Sequence, residues 1–177
     1  ETRAMIRKAT PQDLPQVEDT YNELFDHEAS TVSYTNWKKG LYPTLDYARQ
    51  AQEAGTLYVG EDEEGRIYGS VILNHIHPEE YAKIPWTFDA KPEEIVVIHT
   101  LCIRPSAARK GYGRQFCQFS EEFARQVGAK VIRLDTYEGN MPARSFYPTL
   151  GYRFAGSTRF HFQKVIWENL YCYEKQL

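Results

Sequence analysis

The chain is poor in cysteine, has no excess of either charge and contains no long apolar run. Only 3 of its 177 residues are Cys and only 2 are Met. An odd number of thiols at no metal-ligand spacing excludes a disulfide framework and a cysteine-based zinc site. Cys102, Cys117 and Cys172 are therefore read as packing residues of a protein from the reducing cytoplasm, with no metal expected. Lys and Arg number 21 against 24 Asp and Glu, a net charge of −3. That balance gives no basic face, so nucleic acid is not expected as a partner. No stretch approaches the ~20 apolar residues of a membrane span, and no secretory leader is visible, so no membrane partner is expected either. Repeats and low-complexity segments are absent. This length fits one domain with a full core. Met5 is expected to start the native chain, with residues 1–4 as a cloning remnant.

What is abundant is tyrosine: 13 of them, within an aromatic content of 14%, which favours aromatic-lined pockets. Ile6 to Ala9 read as a first strand. Thr10-Pro11-Gln12-Asp13 reads as a helix start, with Leu14, Val17, Tyr21, Leu24 and Phe25 following at helical spacing. Residues 29–36 read as a loop and 37–54 as a second helix, interrupted near Pro43 and stopped by Gly55. Two strands, 56–60 and 66–76, flank an acidic hairpin turn. A long loop with three prolines covers 77–92. Ile95 to Ile103 is a nearly continuous apolar run, as in a central strand buried on both faces. A helix over 111–127 is predicted to face the core with Phe116, Phe119, Phe123 and Val127, and to end at Gly128. A strand at 131–136, a short helix at 140–150 and strands near 152–162 and 169–175 complete the chain. The fold class is α/β (α+β): a twisted, mostly antiparallel mixed sheet with helices on both faces.

The stretch richest in chemistry is Leu101-Cys102-Ile103-Arg104-Pro105, followed by Arg109-Lys110-Gly111-Tyr112-Gly113-Arg114. A strand ends at a proline, a basic loop carries two glycines, and an amphipathic helix begins. Converging backbone N–H groups and a helix N-terminus make such a loop a cradle for pyrophosphate. Glycines without Cβ atoms let phosphates approach the backbone. A dinucleotide fingerprint is excluded because Phe116 stands where a third glycine is needed, and a Walker loop is absent.

Further along stand Asn140-Met141-Pro142-Ala143-Arg144-Ser145-Phe146-Tyr147 and Leu150-Gly151-Tyr152. The two segments together resemble the signatures of the Gcn5-related N-acetyltransferase (GNAT) superfamily, roughly L-x-V-x-P-x-x-[RQ]-x-x-G-x-[GA] and N-x-x-A-x-x-[FL]-Y-x-x-x-G-[FY]. The resemblance covers residues 95–155 strongly; over residues 5–75 only the order of elements agrees. It implies an acetyl-CoA-dependent N-acetyltransferase acting on an amine of a small molecule or peptide by direct attack, and many members pair into homodimers through their C-terminal strands.

The resemblance also implies roles for residues. Backbone groups of Leu101, Cys102 and Ile103 would bond the pantetheine arm, and an N–H there would polarise the thioester carbonyl. Arg109, Lys110, Gly111, Tyr112, Gly113 and Arg114 would hold the pyrophosphate. Ala108 stands where the family carries Arg or Gln, which removes one side-chain contact. Asn140, by position an N-cap, would also bond the arm. Ala143 is small where the cofactor passes, and Phe146 packs near it. Tyr147 would protonate the departing thiolate, although Pro148 inside its helix departs from the pattern. His99 is the candidate base, histidine being the side chain whose ordinary titration range suits that role. Its strand His99-Thr100-Leu101-Cys102-Ile103 is similar to His-Ala-Leu-Ala-Val of serotonin N-acetyltransferase, where that histidine is implicated as a base; Val97 replaces a second histidine there. Glu93, Glu94 or a water chain are alternatives. Phe25, Tyr34 and Glu93 are the candidate acceptor-binding residues, with His77, Tyr81, Trp86 and Phe88 as further rim. An acidic, aromatic rim suits a cationic acceptor. The rival readings are a non-catalytic acyl-CoA-binding module and covalent thiol chemistry at Cys102.

Overall fold

The computed structural model describes residues 5–162, 164 and 166–177; the supposed remnant at 1–4 lies outside them. The chain divides into two compact units. The first comprises the residues up to Ser33, Trp37–Leu73 and His99–Ser120; the second comprises Tyr34–Asn36, Asn74–Ile98 and Glu121–Leu177.

In the first unit, β1 (Met5–Lys8), β2 (Leu57–Glu61) and β3 (Ile67–Asn74) pair antiparallel. The half of β4 (Ile95–Ile103) from His99 onward continues this order, β4 being the strand next to β3. Helix α1 (Leu14–Ser30) follows a 3-10 turn at Pro11–Asp13. The Asp13 carboxylate accepts from Thr10 N–H at 2.7 Å and from Arg7 at 2.7 and 2.9 Å. The Arg7 bond is the main reason that this carboxyl sits below its ordinary range. Leu14, Val17, Tyr21 and Phe25 of α1 and Ala48 of α2 (Leu45–Glu53) pack with Leu57 and Val59 of β2. Tyr58, between those two β2 residues, faces the other way and meets Phe119 of α3 (Tyr112–Gln126). Because side chains alternate across a strand, helices cover both faces of this part of the sheet, as the sequence predicts.

Two expectations need correction. Helix α2 begins at Leu45, not near residue 37: the Thr44 hydroxyl caps it by accepting from Tyr47 N–H at 3.1 Å. Upstream, Lys38 and Tyr42 close a separate turn, with Lys38 N–H bonding Tyr42 O at 3.1 Å and Tyr42 N–H bonding Lys38 O at 3.0 Å. Pro43 disfavours helical backbone at the residue before it. In α3 the buried positions are Phe116, Cys117, Ser120, Glu121 and Ala124, while Val127 lies past the helix end and is 46% exposed. Phe116 is buried and Phe119 packs on Tyr58, as the sequence predicts; Val127 is the residue that does not face the core, and Cys117, Ser120 and Ala124 share the buried face.

In the second unit, β4 runs parallel to β5 (Val131–Tyr137), and β7 (Ile166–Gln176) lies antiparallel between β5 and β6 (Arg153–Phe162). The strand order is therefore β1-β2-β3-β4-β5-β7-β6. β4 and β5, which pair parallel, are joined by a crossover through α3, as parallel pairing requires. Helix α4 (Met141–Thr149) links β5 to β6. The 77–92 segment is anchored rather than loose. Glu174 of β7, fully buried, accepts from the backbone N–H groups of Thr87 and Phe88 at 2.8 and 3.0 Å and from Arg153 at 2.7 Å. No helix among the described residues is long and apolar enough to cross a membrane.

Replacing Glu174 by Leu strands two backbone donors and the Arg153 charge. Unfolding in urea is expected to show a loss of about 2–3 kcal/mol, with Glu174→Gln milder because one acceptor oxygen remains; equal stability of Glu174→Leu and wild type would refute the anchoring role.

Candidate active site

The glycine loop grows out of a clamped strand end. Arg104 N–H bonds Tyr68 O at 2.8 Å, and its buried guanidinium bonds Ile67 O at 3.0 Å and Glu23 at 3.2 Å. Glu23 of α1 also accepts from Ser106 N–H at 2.7 Å and from the Ser106 hydroxyl at 3.1 Å. Burial alone would raise the Glu23 carboxyl, but these Ser106 bonds and the Arg104 charge hold it below its ordinary range. A 3-10 turn at Pro105–Ala107 follows. Arg109 (φ 64°) and Gly111 (φ 79°) then adopt left-handed backbone on either side of Lys110. Alternating handedness of this kind turns successive N–H groups toward one point, an anion-binding concavity. Helix α3 starts at Tyr112, so its first-turn N–H groups have no partner within the helix. A Cβ on Gly111 would meet no protein atom within 4 Å, so the space above the loop is open to a ligand. Arg109, Lys110 and Arg114 are exposed around it. Tyr112 is fixed by stacking on Tyr68, with ring centroids 3.6 Å apart. Beside the loop lies a charged concavity of about 390 Å³ lined by Asp62, Arg66, Tyr68, Arg104, Lys110 and Tyr112 among others.

Upstream of the loop, β4 has an irregular course. Its ladder to β5 covers Ile95↔Val131, Val96↔Ile132 and Val97↔Arg133. At Thr100 the backbone turns left-handed, with φ 51°. For a β-branched residue inside a strand this costs on the order of 1–3 kcal/mol. The Thr100 hydroxyl is hydrogen-bonded to that of Tyr42 and donates to Tyr47 Oη at 3.4 Å. Gly69 of β3 allows close approach to the following residues: a Cβ there would stand 2.5 Å from Cys102 O. His99, Leu101 and Ile103 are half-buried. Cys102 is buried with Sγ 3.9 Å from Thr20 O, and burial pushes its thiol up to about 12. A thiol so held gives almost no thiolate at neutral pH, which removes the support for covalent chemistry at Cys102.

In the second unit, Asn140 caps α4 by accepting from Ala143 N–H at 3.2 Å. Ala143 and Phe146 are half-buried. Tyr147 is 8% exposed, with its ring centroid 5.4 Å from Phe146, 5.7 Å from Tyr152 and 5.9 Å from Tyr173. Pro148 sits inside α4, and the Tyr147 carbonyl accepts from both Leu150 N–H (3.0 Å) and Tyr152 N–H (3.1 Å) as the helix ends. Of the candidate acceptor residues, Phe25 belongs to the core of the first unit, a correction to its place on a rim; Tyr34 is 40% exposed, and Glu93 is exposed in a 3-10 turn. Tyr81 is likewise a core residue.

The sequence reading missed Asp135 of β5. It accepts from the Tyr81 hydroxyl at 2.7 Å, and burial, reinforced by Glu168 and Glu80, raises its carboxyl to about 6. Glu168 in turn accepts from Asn36 Nδ2 at 2.7 Å. Thr100 with Tyr42 and Tyr47 was also missed. Among the described residues no group of three or more His, Cys, Asp or Glu could hold a metal ion.

Comparison with known proteins agrees with this architecture. The model of the acetyltransferase (GNAT) family matches residues 15–152. The uncharacterized N-acetyltransferase YhfO of Bacillus subtilis (strain 168) is 35% identical over 60 residues, 34% of this chain and 40% of that protein; the match thus spans less than half of the curated relative's length. A GNAT-family acetyltransferase from Streptococcus agalactiae 2603 superposes with a TM-score of 0.80 at 22% identity, covering 98% of this chain and 95% of that one. YncA of Salmonella typhimurium, solved with its cofactor acetyl-CoA, superposes with a TM-score of 0.67 at 19% identity, covering 99% and 95%. At these identities the two structures establish the fold.

Asp135 carries a pH signature. Its carboxyl is raised on folding, so the stability it contributes is complete below about pH 4 and lost as pH rises through about 6. Asp135→Asn is expected to melt above wild type at pH 7.5, with the gap closing toward pH 4. A gap independent of pH would contradict the raised carboxyl.

Proposed function

The chain belongs to the acetyltransferase (GNAT) family, and on that premise we propose that it transfers the acetyl group of acetyl-CoA to a primary amine of a small molecule or peptide. The observation that carries this reading is the loop from Arg109 to Arg114: two left-handed residues, open space over Gly111 and exposed cations at the start of a 15-residue helix. The fit is to a pyrophosphate, and acetyl-CoA is the donor that the family uses.

Acetyl-CoA supplies an activated acetyl group as a thioester. Backbone N–H groups at Arg109 to Arg114 bind its phosphates. Those of Leu101 to Ile103 bind the arm, and the Leu101 N–H polarises the carbonyl and stabilises the negative charge that develops as the amine attacks. By resemblance to the family, Asn140, Ala143 and Phe146 would border the arm. The amine nitrogen forms the new C–N bond and the C–S bond breaks. His99 takes the amine proton, with Glu93, Glu94 or a water chain as the alternatives. The Tyr147 hydroxyl gives its proton to the departing sulfur. Tyr34 and Glu93 lie on the surface, where an acceptor can reach them, and Glu93 favours a cationic one. All three cysteines are free, which fits the cytoplasm. Pairing through the C-terminal strands, as in many GNAT proteins, would make it a homodimer.

Incubation with acetyl-CoA and a panel of amines and peptides, followed by mass spectrometry, is expected to reveal an acetylated product; tight binding of acetyl-CoA with no transfer to any amine in the panel would favour a binding module instead. Tyr147→Phe is expected to lower kcat by about 10²-fold or more with CoA affinity retained, and unchanged turnover would remove it as the acid. Gly111→Val places a side chain in the open space and disfavours the left-handed backbone. Its affinity for acetyl-CoA is expected to fall by at least about tenfold; unchanged affinity would refute the cradle.

A further inference from the structure

The left-handed Thr100 in β4 is held by side chains from far along the chain. Its hydroxyl bonds Tyr42 and lies 3.4 Å from Tyr47 Oη. Tyr42 is itself confined, edge-on to Trp37 at 5.8 Å and to Tyr47 at 5.0 Å. It also closes the turn with Lys38 through two backbone bonds. On the side of β3, Gly69 leaves no room for a Cβ beside Cys102 O, so β4 cannot relax toward its neighbour. A left-handed threonine inside a strand persists only where its surroundings over-determine it, and here two tyrosines and a glycine do so. Burial also keeps the Tyr42 hydroxyl protonated well above its ordinary range, so it remains a donor at any pH the enzyme meets.

We propose that Tyr42 and Tyr47 are positioning residues: by gripping the Thr100 hydroxyl they fix the left-handed turn of β4 and with it the orientation of the Leu101 N–H. The inference rests on the reading that this N–H polarises the thioester carbonyl. Left-handed backbone at Thr100 sets the direction of the peptide that carries the Leu101 N–H. Without the hydroxyl grip, β4 relaxes toward regular strand geometry and that donor turns. The consequence falls on the reacting carbonyl, not on the phosphate loop, which has its own clamp at Glu23, Arg104 and Ser106.

The test uses Thr100→Val, which keeps the branched shape and loses the hydroxyl, Thr100→Ser, which keeps the hydroxyl, and Tyr42→Phe. Infrared difference spectra of bound acetyl-CoA labelled with ¹³C at the carbonyl are read beside kcat, KM and CoA affinity. Wild type is expected to shift the carbonyl band below its solution frequency. Thr100→Val and Tyr42→Phe should return the band toward the solution value and lower kcat by about 10²-fold, with CoA affinity within about twofold of wild type. Thr100→Ser should restore both band and turnover. A folded Thr100→Val or Tyr42→Phe that keeps the shifted band and near-normal kcat would overturn the positioning role while leaving the transferase reading intact. An unshifted band in bound wild type would instead remove the role of Leu101, and this proposal with it.

Discussion

The candidate site depends on the course of one strand. β4 enters paired with β5 through Val97, turns left-handed at Thr100, meets β3 closely at Gly69, and stops at Arg104. Each feature has a local cause. The hydroxyl of Thr100 is gripped by tyrosines, the approach at Gly69 needs a residue without Cβ, and the Arg104 guanidinium is neutralised by Glu23. The strand ends in that clamp, and the next segment folds as a loop with two left-handed residues opening onto α3.

A regular strand would bond its neighbours on both sides along its whole length and leave no backbone donor for a ligand. An irregular one leaves N–H groups whose partners must come from elsewhere. On the function proposed above, the thioester carbonyl and the pantetheine amides would take that place. The side chains of Leu101, Cys102 and Ile103 then matter less than their backbones. That accords with a buried, fully protonated Cys102 thiol, which contributes packing rather than nucleophilicity. In the second unit the anchored 77–92 segment contributes Tyr81, which is buried and whose hydroxyl donates to the half-buried Asp135.

What could be read from the sequence was what is local. The cradle announces itself because proline, basic residues and glycines fall within one short stretch, and Asn140 caps α4 because capping acts over three residues. The strand over Ile95 to Ile103 was legible from its apolar run alone. The start of α2 was not, because the turn at Lys38 to Tyr42 competes with a helix-like pattern and wins through its own backbone bonds. The buried face of α3 was legible in part: Phe116 is buried as its spacing indicates, but Cys117, Ser120 and Ala124 share that face while Val127 is exposed. The Thr100–Tyr42 and Asp135–Tyr81 pairs join residues 58 and 54 positions apart. No periodicity or spacing rule links such residues; only the packed fold does. Phe25 was misplaced for a related reason: an aromatic near a loop reads equally well as rim or core until its neighbours are known.

The most direct test of the account is calorimetric titration of the wild-type protein with acetyl-CoA and, separately, with CoA. The geometry of the cradle predicts saturable binding of both at micromolar concentrations, at one site per chain, weakening as salt screens the phosphates. Absence of heat with either ligand would contradict the central claim: the loop from Arg109 to Arg114 would then be a turn that shapes α3 and holds no phosphate.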